Sequence, residues 1–415
     1  ETGELGMRRI TPDDADYPAR SMSEKEMSGK ASSDKASSDK ASCDHASGDR
    51  RTLSAEQLAR MYTIDEFEAT ARASLSEMAY AYFAGGAGDE RTLAHNRSAW
   101  EAISIWYRVM VDVSHRSTAT TLMDIALPTP LLAAPTALHK LGHPDAELAT
   151  VRACGAAGIP MVVSSLASTS IEEICAAATS PILMQIYISQ DRGFVRELVQ
   201  RAERAGCVGF QLTVDAPVWG LREREMRSGF QLPSGVDVVN LRRSGQSASA
   251  AGAGVGISQI LGWTISDNIT WKDLEWLCSL TKFPVMLKGV CRADDAVTAV
   301  RAGVRGIVVS NHGGRQLDGA PATAEALPHI TQAVASRVPV IVDGGIRRGV
   351  DILRALALGA TAVQIGRPIL WGLSTAGEAG VRRVIEILAS DFDRSMALAG
   401  CTGVASISRD LIQSR

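Results

Sequence analysis

Eight short apolar runs, separated by stretches with helical patterning, constrain this chain more than any other feature. They are Leu131–Ala134, Met161–Ser164, Ile182–Tyr187, Val208–Val214, Val285–Lys288, Gly306–Ser310, Val340–Asp343 and Ala362–Ile365. Unbroken apolar runs of this length read as strands buried on both faces, and their alternation with Ala-, Arg- and Glu-rich segments reads as parallel β/α units. Eight such units predict an α/β fold, a (β/α)8 TIM barrel, over about residues 130–370. About 70 residues separate the fourth run from the fifth, where a long insertion, about 231–268, should rise over the barrel mouth.

Ahead of the barrel, an N-terminal helical extension is expected from Thr63. Thr63-Ile64-Asp65-Glu66 has the form of a capping box, an amphipathic run follows through Leu75, and a second helix ends at Gly85-Gly86. Residues 1–52 differ: they are rich in Ser, Asp, Lys and Ala and carry four successive pentapeptides from Lys30 to Asp49. So little apolar content cannot offset the entropy of ordering, so a disordered tail is expected, with Glu1-Thr2-Gly3 reading as a residual expression sequence. The functional domain is then 53–415.

Lys and Arg total 43 against 46 Asp and Glu, a formal charge of −3, which leaves no basic excess for nucleic acid. The seven cysteines form no C-x-x-C pair, so no metal site is expected and they read as reduced thiols in a cytoplasmic compartment. No apolar stretch approaches the roughly 18 residues of a membrane span. Arg8-Arg9 lacks an apolar region behind it, and Gln413-Ser414-Arg415 is not a peroxisomal address.

Catalytic groups of a barrel sit at the carboxyl ends of its strands. Here those ends read Pro135-Thr136, Ser164-Ser165, Gln185 with Tyr187, Thr213 with Asp215, Lys288, Ser310-Asn311-His312, Asp343-Gly344-Gly345 and Gly366-Arg367. The last two, with Ile346 and Arg347, suit a phosphate, because glycine lets backbone N–H groups approach and Arg adds a forked charge. Lys288 reads as a surface lysine, a Schiff-base nucleophile, or, beside a flavin, a fixed positive charge. His312 is a candidate base, and Arg315 suits a carboxylate. Asp215 either orients His312 or caps a helix before Pro217.

Ser310-Asn-His-Gly-Gly-Arg-Gln-Leu-Asp318, with Lys288-Gly289 before it and Asp343-Gly-Gly-Ile-Arg-Arg348 after it, resembles the FMN-dependent 2-hydroxy acid oxidases and dehydrogenases, from about Ile64 to Asp410. The resemblance implies FMN held by Pro135, Thr136, Ala137, Ser164, Gln185, Thr213, Lys288, Ser310, Asp343, Gly344, Gly345, Ile346, Arg347, Gly366 and Arg367. It implies substrate contacts from Tyr82, Tyr187, Arg222 and Arg315, with His312 as base and Asp215 behind it. The reaction implied is oxidation of an L-2-hydroxy acid to a 2-keto acid by a homotetramer. Whether His312 takes the α-proton or the hydroxyl proton stays open.

The first 60 residues hold only His45, too few histidines for a haem domain, so dioxygen is favoured as acceptor over a quinone or soluble carrier. The uncharged stretch 244–266 reads as a mobile lid in preference to a membrane contact. Leu166 replaces a tryptophan of the glycolate oxidases, which predicts a wider substrate pocket and a preference for three-carbon or larger acids. The rival readings are a non-redox barrel isomerase or Lys288 aldolase, and a protein that binds flavin without turnover.

Overall fold

The computed structural model describes residues 53–242 and 265–412. The expected tail, 1–52, and the core of the expected lid, 243–264, lie outside them. Eight parallel strands pair in chain order and close on themselves as the eighth bonds the first. They span Leu131–Ala133, Met161–Val163, Ile182–Ile186, Gly209–Thr213, Val285–Val290, Gly306–Val309, Val340–Val342 and Ala362–Ile365, close to the apolar runs. The fifth runs past Lys288 with a register shift between Lys288 and Val290. Gly289 makes that possible: its φ is 103°, and a Cβ there would lie 2.6 Å from the Asp215 side chain.

Side chains alternate across a strand, so every second residue faces the barrel interior. Leu132, Val162, Leu183, Met286, Val308, Ile341 and Ala362 make one buried apolar cluster there. Leu122 and Leu127 join it from a hairpin, Thr120–Leu122 paired with Ile125–Leu127, that closes the amino end. Two residues further along the strands the interior positions turn polar: Ser164, Gln185, Gln211, Lys288, Ser310, Asp343 and Gln364, all buried. The barrel is therefore apolar toward its amino end and polar toward its carboxyl end.

From Thr63 on the helical extension forms as expected, and a short helix, Ala55–Ala59, capped by Ser54, precedes it and moves the start of regular structure earlier than expected. Helix Ile64–Ser74 opens on Thr63, whose N–H donates to Glu66 Oε2 at 2.7 Å while its Oγ1 accepts from Glu66 N at 3.2 Å. A second helix, Glu77–Ala84, ends at Gly85 and brings Tyr82 and Phe83 to the mouth of the barrel. A third, Arg91–Glu101, supplies Asn96, which is buried.

Candidate active site

A cavity opens at the carboxyl ends of the strands, the face on which barrel enzymes of this kind place their active sites. Pro135, Thr136, Ala137, Ser164, Leu166, Gln185, Tyr187, Thr213, Lys288, His312, Arg315, Asp343 to Arg347, Gly366 and Arg367 all line it, as does Tyr82. Asp215 and Ser310 lie just behind that lining. Arg222 is buried beside it, giving Nε to the Arg315 carbonyl at 3.1 Å and Nη2 to Gln316 at 3.1 Å, with its guanidinium 3.5 Å from the Trp219 ring centre.

His312 Nδ1 meets Asp215 Oδ1 at 2.8 Å, so Asp215 orients the imidazole and caps no helix. The carboxylate fixes the proton on Nδ1 and leaves Nε2 to act as a base. Burial pushes the His312 imidazole below its ordinary range and outweighs the pull of Asp215, so it is neutral near pH 7. Burial alone would raise the Asp215 carboxyl, yet His312 and Lys288 hold it low and ionised. His312 itself sits at φ 58°, a left-handed conformation that costs a non-glycine residue energy and that functional sites often store. The loop is braced by a reciprocal amide pair: Asn96 Nδ2 donates to Asn311 Oδ1 and Asn311 Nδ2 to Asn96 Oδ1, both at 2.8 Å.

Lys288 Nζ lies 3.0 Å from Asp343 Oδ2 and donates to Ser310 Oγ at 2.8 Å. Burial would lower its pKa, but Asp343 and Asp215 raise it, so the ammonium stays charged. A charged, ion-paired lysine is no Schiff-base nucleophile, which removes the aldolase reading. Burial pushes the Tyr82 hydroxyl up to about 12 and the Tyr187 hydroxyl higher, so both are neutral donors. Arg315 packs 5.2 Å from the Tyr82 ring centre, and its Nη1 donates to the carbonyls of Tyr82 at 2.6 Å and Gly85 at 3.0 Å.

The cavity has unmet polar demands. Gln185 Nε2, Asp343 Oδ1, both amide atoms of Gln364 and Arg347 Nε are buried without a hydrogen-bond partner. Such groups are rare in native interiors unless a ligand or water satisfies them. Burial lowers the Arg347 and Arg367 guanidinium pKa values, the latter to about 9 with Arg315 and Arg347 adding repulsion. Arginine remains charged all the same, so this corner calls for an anion. The helix that carries Asn96 packs tightly behind this corner: Gly345 has φ 82°, and a Cβ would fall 2.0 Å from the Asn96 carbonyl oxygen.

The sequence pattern of FMN-dependent dehydrogenases matches residues 71–414. The chain belongs to that family. FMN is its cofactor, and the unmet groups fit it: acceptor and donor atoms at Gln185, Gln364 and Asp343 for a polar ring and sugar chain, and an arginine pair for a single phosphate. Among relatives of this flavoenzyme, an L-lactate oxidase of Nostoc is 48% identical, the match covering 82% of this chain and 95% of the relative. The glycolate oxidase of Spinacia oleracea is 42% identical over 84% of this chain and 95% of its own. A crystal structure of mandelate oxidase with (S)-4-hydroxymandelic acid superposes with a TM-score of 0.80 at 40% identity, covering 86% of this chain and 99% of that one.

Sequence reasoning missed several of the flavoenzyme's cavity residues: Trp219, Phe83, Gln364 and Leu370 also line it. Gln364 was discoverable, since it interrupts the eighth apolar run at an inward position. Trp219 carried no periodic signal, because it lies in an irregular segment.

Proposed function

We propose that the site oxidises an L-2-hydroxy acid of three or more carbons to the 2-keto acid, with dioxygen as the final acceptor and hydrogen peroxide as the second product. One observation carries the reading: His312, bonded through Nδ1 to Asp215, shares one cavity with Arg315, Tyr82 and Tyr187. Bound FMN supplies the two-electron acceptor. The chain's own residues do the rest. Arg315 binds the carboxylate, its Nε and Nη2 having no protein hydrogen bond among the described residues, and Tyr82 adds a neutral hydroxyl donor. Tyr187 orients the substrate hydroxyl, and His312 Nε2 accepts the proton the substrate loses, Asp215 stabilising the imidazolium. Lys288 and Arg347 with Arg367 hold the ring and phosphate regions of the cofactor, alongside Ser164, Thr213 and Ser310, while Arg222 braces the Arg315 backbone and adds positive charge for the substrate carboxylate.

Substrate size rests on Leu166, buried in the cavity wall. Oxygen uptake and peroxide release measured with L-lactate, L-2-hydroxyoctanoate, (S)-mandelate and glycolate test the reading. Higher kcat/KM for at least one larger acid is expected, and a preference for glycolate over all three would overturn it.

The catalytic unit is 53–415, working in the cytoplasm as a homotetramer. All six described cysteines are free, which supports a reducing compartment, and no helix among the described residues is long and apolar enough to cross a membrane. The exposed run of Trp106, Tyr107, Val109 and Met110 supports a subunit contact. Light scattering on the full chain and on residues 53–415 checks both points, with equal subunit number and equal turnover expected.

A further inference from the structure

We infer that Cys175 and Cys207 form a peroxide-reactive dithiol that closes to a disulfide on the outside of the barrel. Their sulfurs lie 3.8 Å apart, the one thiol–thiol contact among the described cysteines. Cys175 is in the last turn of helix Ile171–Ala177, and Cys207 leads from helix Arg192–Ala205 into the fourth strand. The pair thus joins two neighbouring β/α units. A disulfide needs the sulfurs at ~2.05 Å, an approach of roughly 2 Å for a side chain at a helix end.

The two thiols divide the work. Cys175 is half-buried and reachable, whereas Cys207 is 1% exposed. The two thiols are within hydrogen-bond reach of each other, and the bond that Cys207 can give favours the Cys175 thiolate more than burial and the nearby Glu172 charge oppose it. Glu172 is itself held by Arg201 at 2.9 and 3.1 Å. Cys154, Cys278, Cys291 and Cys401 are all pushed the other way by burial, toward the inert thiol.

The chemistry balances. The Cys175 thiolate attacks one peroxide oxygen, the O–O bond breaks, and Cys175 becomes a sulfenic acid while the departing hydroxide takes a proton to become water. The Cys207 sulfur then attacks the sulfenic sulfur, the S–S bond forms, the S–O bond breaks, and a second water leaves with the Cys207 proton. Two thiols lose two electrons and one peroxide gains them. Any hydroperoxide suffices; that turnover provides it rests on the oxygen-reducing reading above.

The test uses reduced holoenzyme, a small excess of hydrogen peroxide, and peptide mapping without reductant. A Cys175–Cys207 cross-linked peptide, two hydrogens lighter than the free pair and reversed by dithiothreitol, is expected. Cys207→Ser should trap a sulfenic acid at Cys175 that a dimedone probe labels. Cys175→Ser, at the reachable position, should leave Cys207 a free thiol under the same dose. Persistence of both thiols, cross-links to other cysteines, or separate oxidation of each to sulfinic acid overturns the proposal. In a parallel arm the enzyme turns over L-lactate in air, with or without catalase. A cross-link with added peroxide but none on turnover leaves the dithiol standing and counts against dioxygen as acceptor.

Discussion

The two ends of the barrel interior are made by the same eight strands at the same period, yet they hold opposite chemistry. Toward the amino end, Leu132, Val162, Leu183, Met286, Val308 and Ile341 pack against the hairpin residues Leu122 and Leu127. Two residues along, Ser164, Gln185, Lys288, Ser310 and Asp343 meet the cavity or stand directly behind it. The first layer loses free energy only if atoms are removed. The second carries buried charges and orphaned amide groups that the fold alone does not satisfy, so it gains stability when a polar ligand arrives. Stability and function are thereby segregated by depth along each strand, and substitutions should separate them.

The largest separation is expected at His312. His312→Gln keeps a similar shape but no basic nitrogen, so kcat should fall by about 10²–10⁴-fold with FMN still bound and thermal unfolding unchanged. An unaltered rate of flavin reduction would place the base elsewhere. With His312 as the base, the active form is neutral imidazole, and burial lowers its pKa. Activity should therefore be flat above neutrality and fall on acidification only below the ordinary histidine value of about 6.5. Asp215→Asn removes the charge that holds that pKa up, so the acid limb should move further down while the rate drops. An acid limb that moves upward instead would contradict the assigned pair.

The mirror experiment is Leu132→Ala in the apolar layer. It should cost about 2–5 kcal/mol of stability by leaving a cavity, with kcat nearly intact in the enzyme that stays folded. Denaturant titration checks it, and a loss of activity without a loss of stability would erase the division between layers. Next in size is Arg347→Met, which removes a buried charge from the phosphate corner. A charge-assisted hydrogen bond contributes about 1.5–3 kcal/mol, so FMN should be released roughly 10–150-fold more readily, as read by ultrafiltration of the yellow protein. The smallest effect is Leu166→Trp, where one apolar contact is worth about 1–3 kcal/mol, and the ratio of kcat/KM for lactate over glycolate should fall.

The strands were legible because a parallel strand covered on both faces must be apolar throughout: Ile182–Tyr187 and Val208–Val214 enclose the observed Ile182–Ile186 and Gly209–Thr213. Polar residues at the ends of such runs stand out for the same reason, which is how Lys288, Asp343 and His312 were found. The hairpin at the amino end left no trace. Its turn residues, Met123 and Asp124, both take positive φ, 48° and 65°, without the Asn-Gly or Asp-Gly signature that normally announces such a turn. Nor could sequence show Asn96 bonding Asn311, a contact between residues 215 apart along the chain that follows no period. Nor could sequence show how Arg222, which the resemblance to a flavoenzyme family marked as a substrate contact, is held: its Nε donates to the Arg315 carbonyl, while Nη1 is buried without a hydrogen-bond partner.

The central claim is that a neutral His312, oriented by Asp215, removes a substrate proton in a cavity that delivers two electrons to FMN. Rapid anaerobic mixing of the holoenzyme with L-lactate, (S)-mandelate and glycolate, following the flavin absorbance, tests it most directly. Bleaching by at least one larger L-acid, slowed about 10²–10⁴-fold in His312→Gln and reversed by air, is the result predicted. Flavin that no hydroxy acid bleaches, or bleaching at equal rates in wild type and His312→Gln, would contradict the claim.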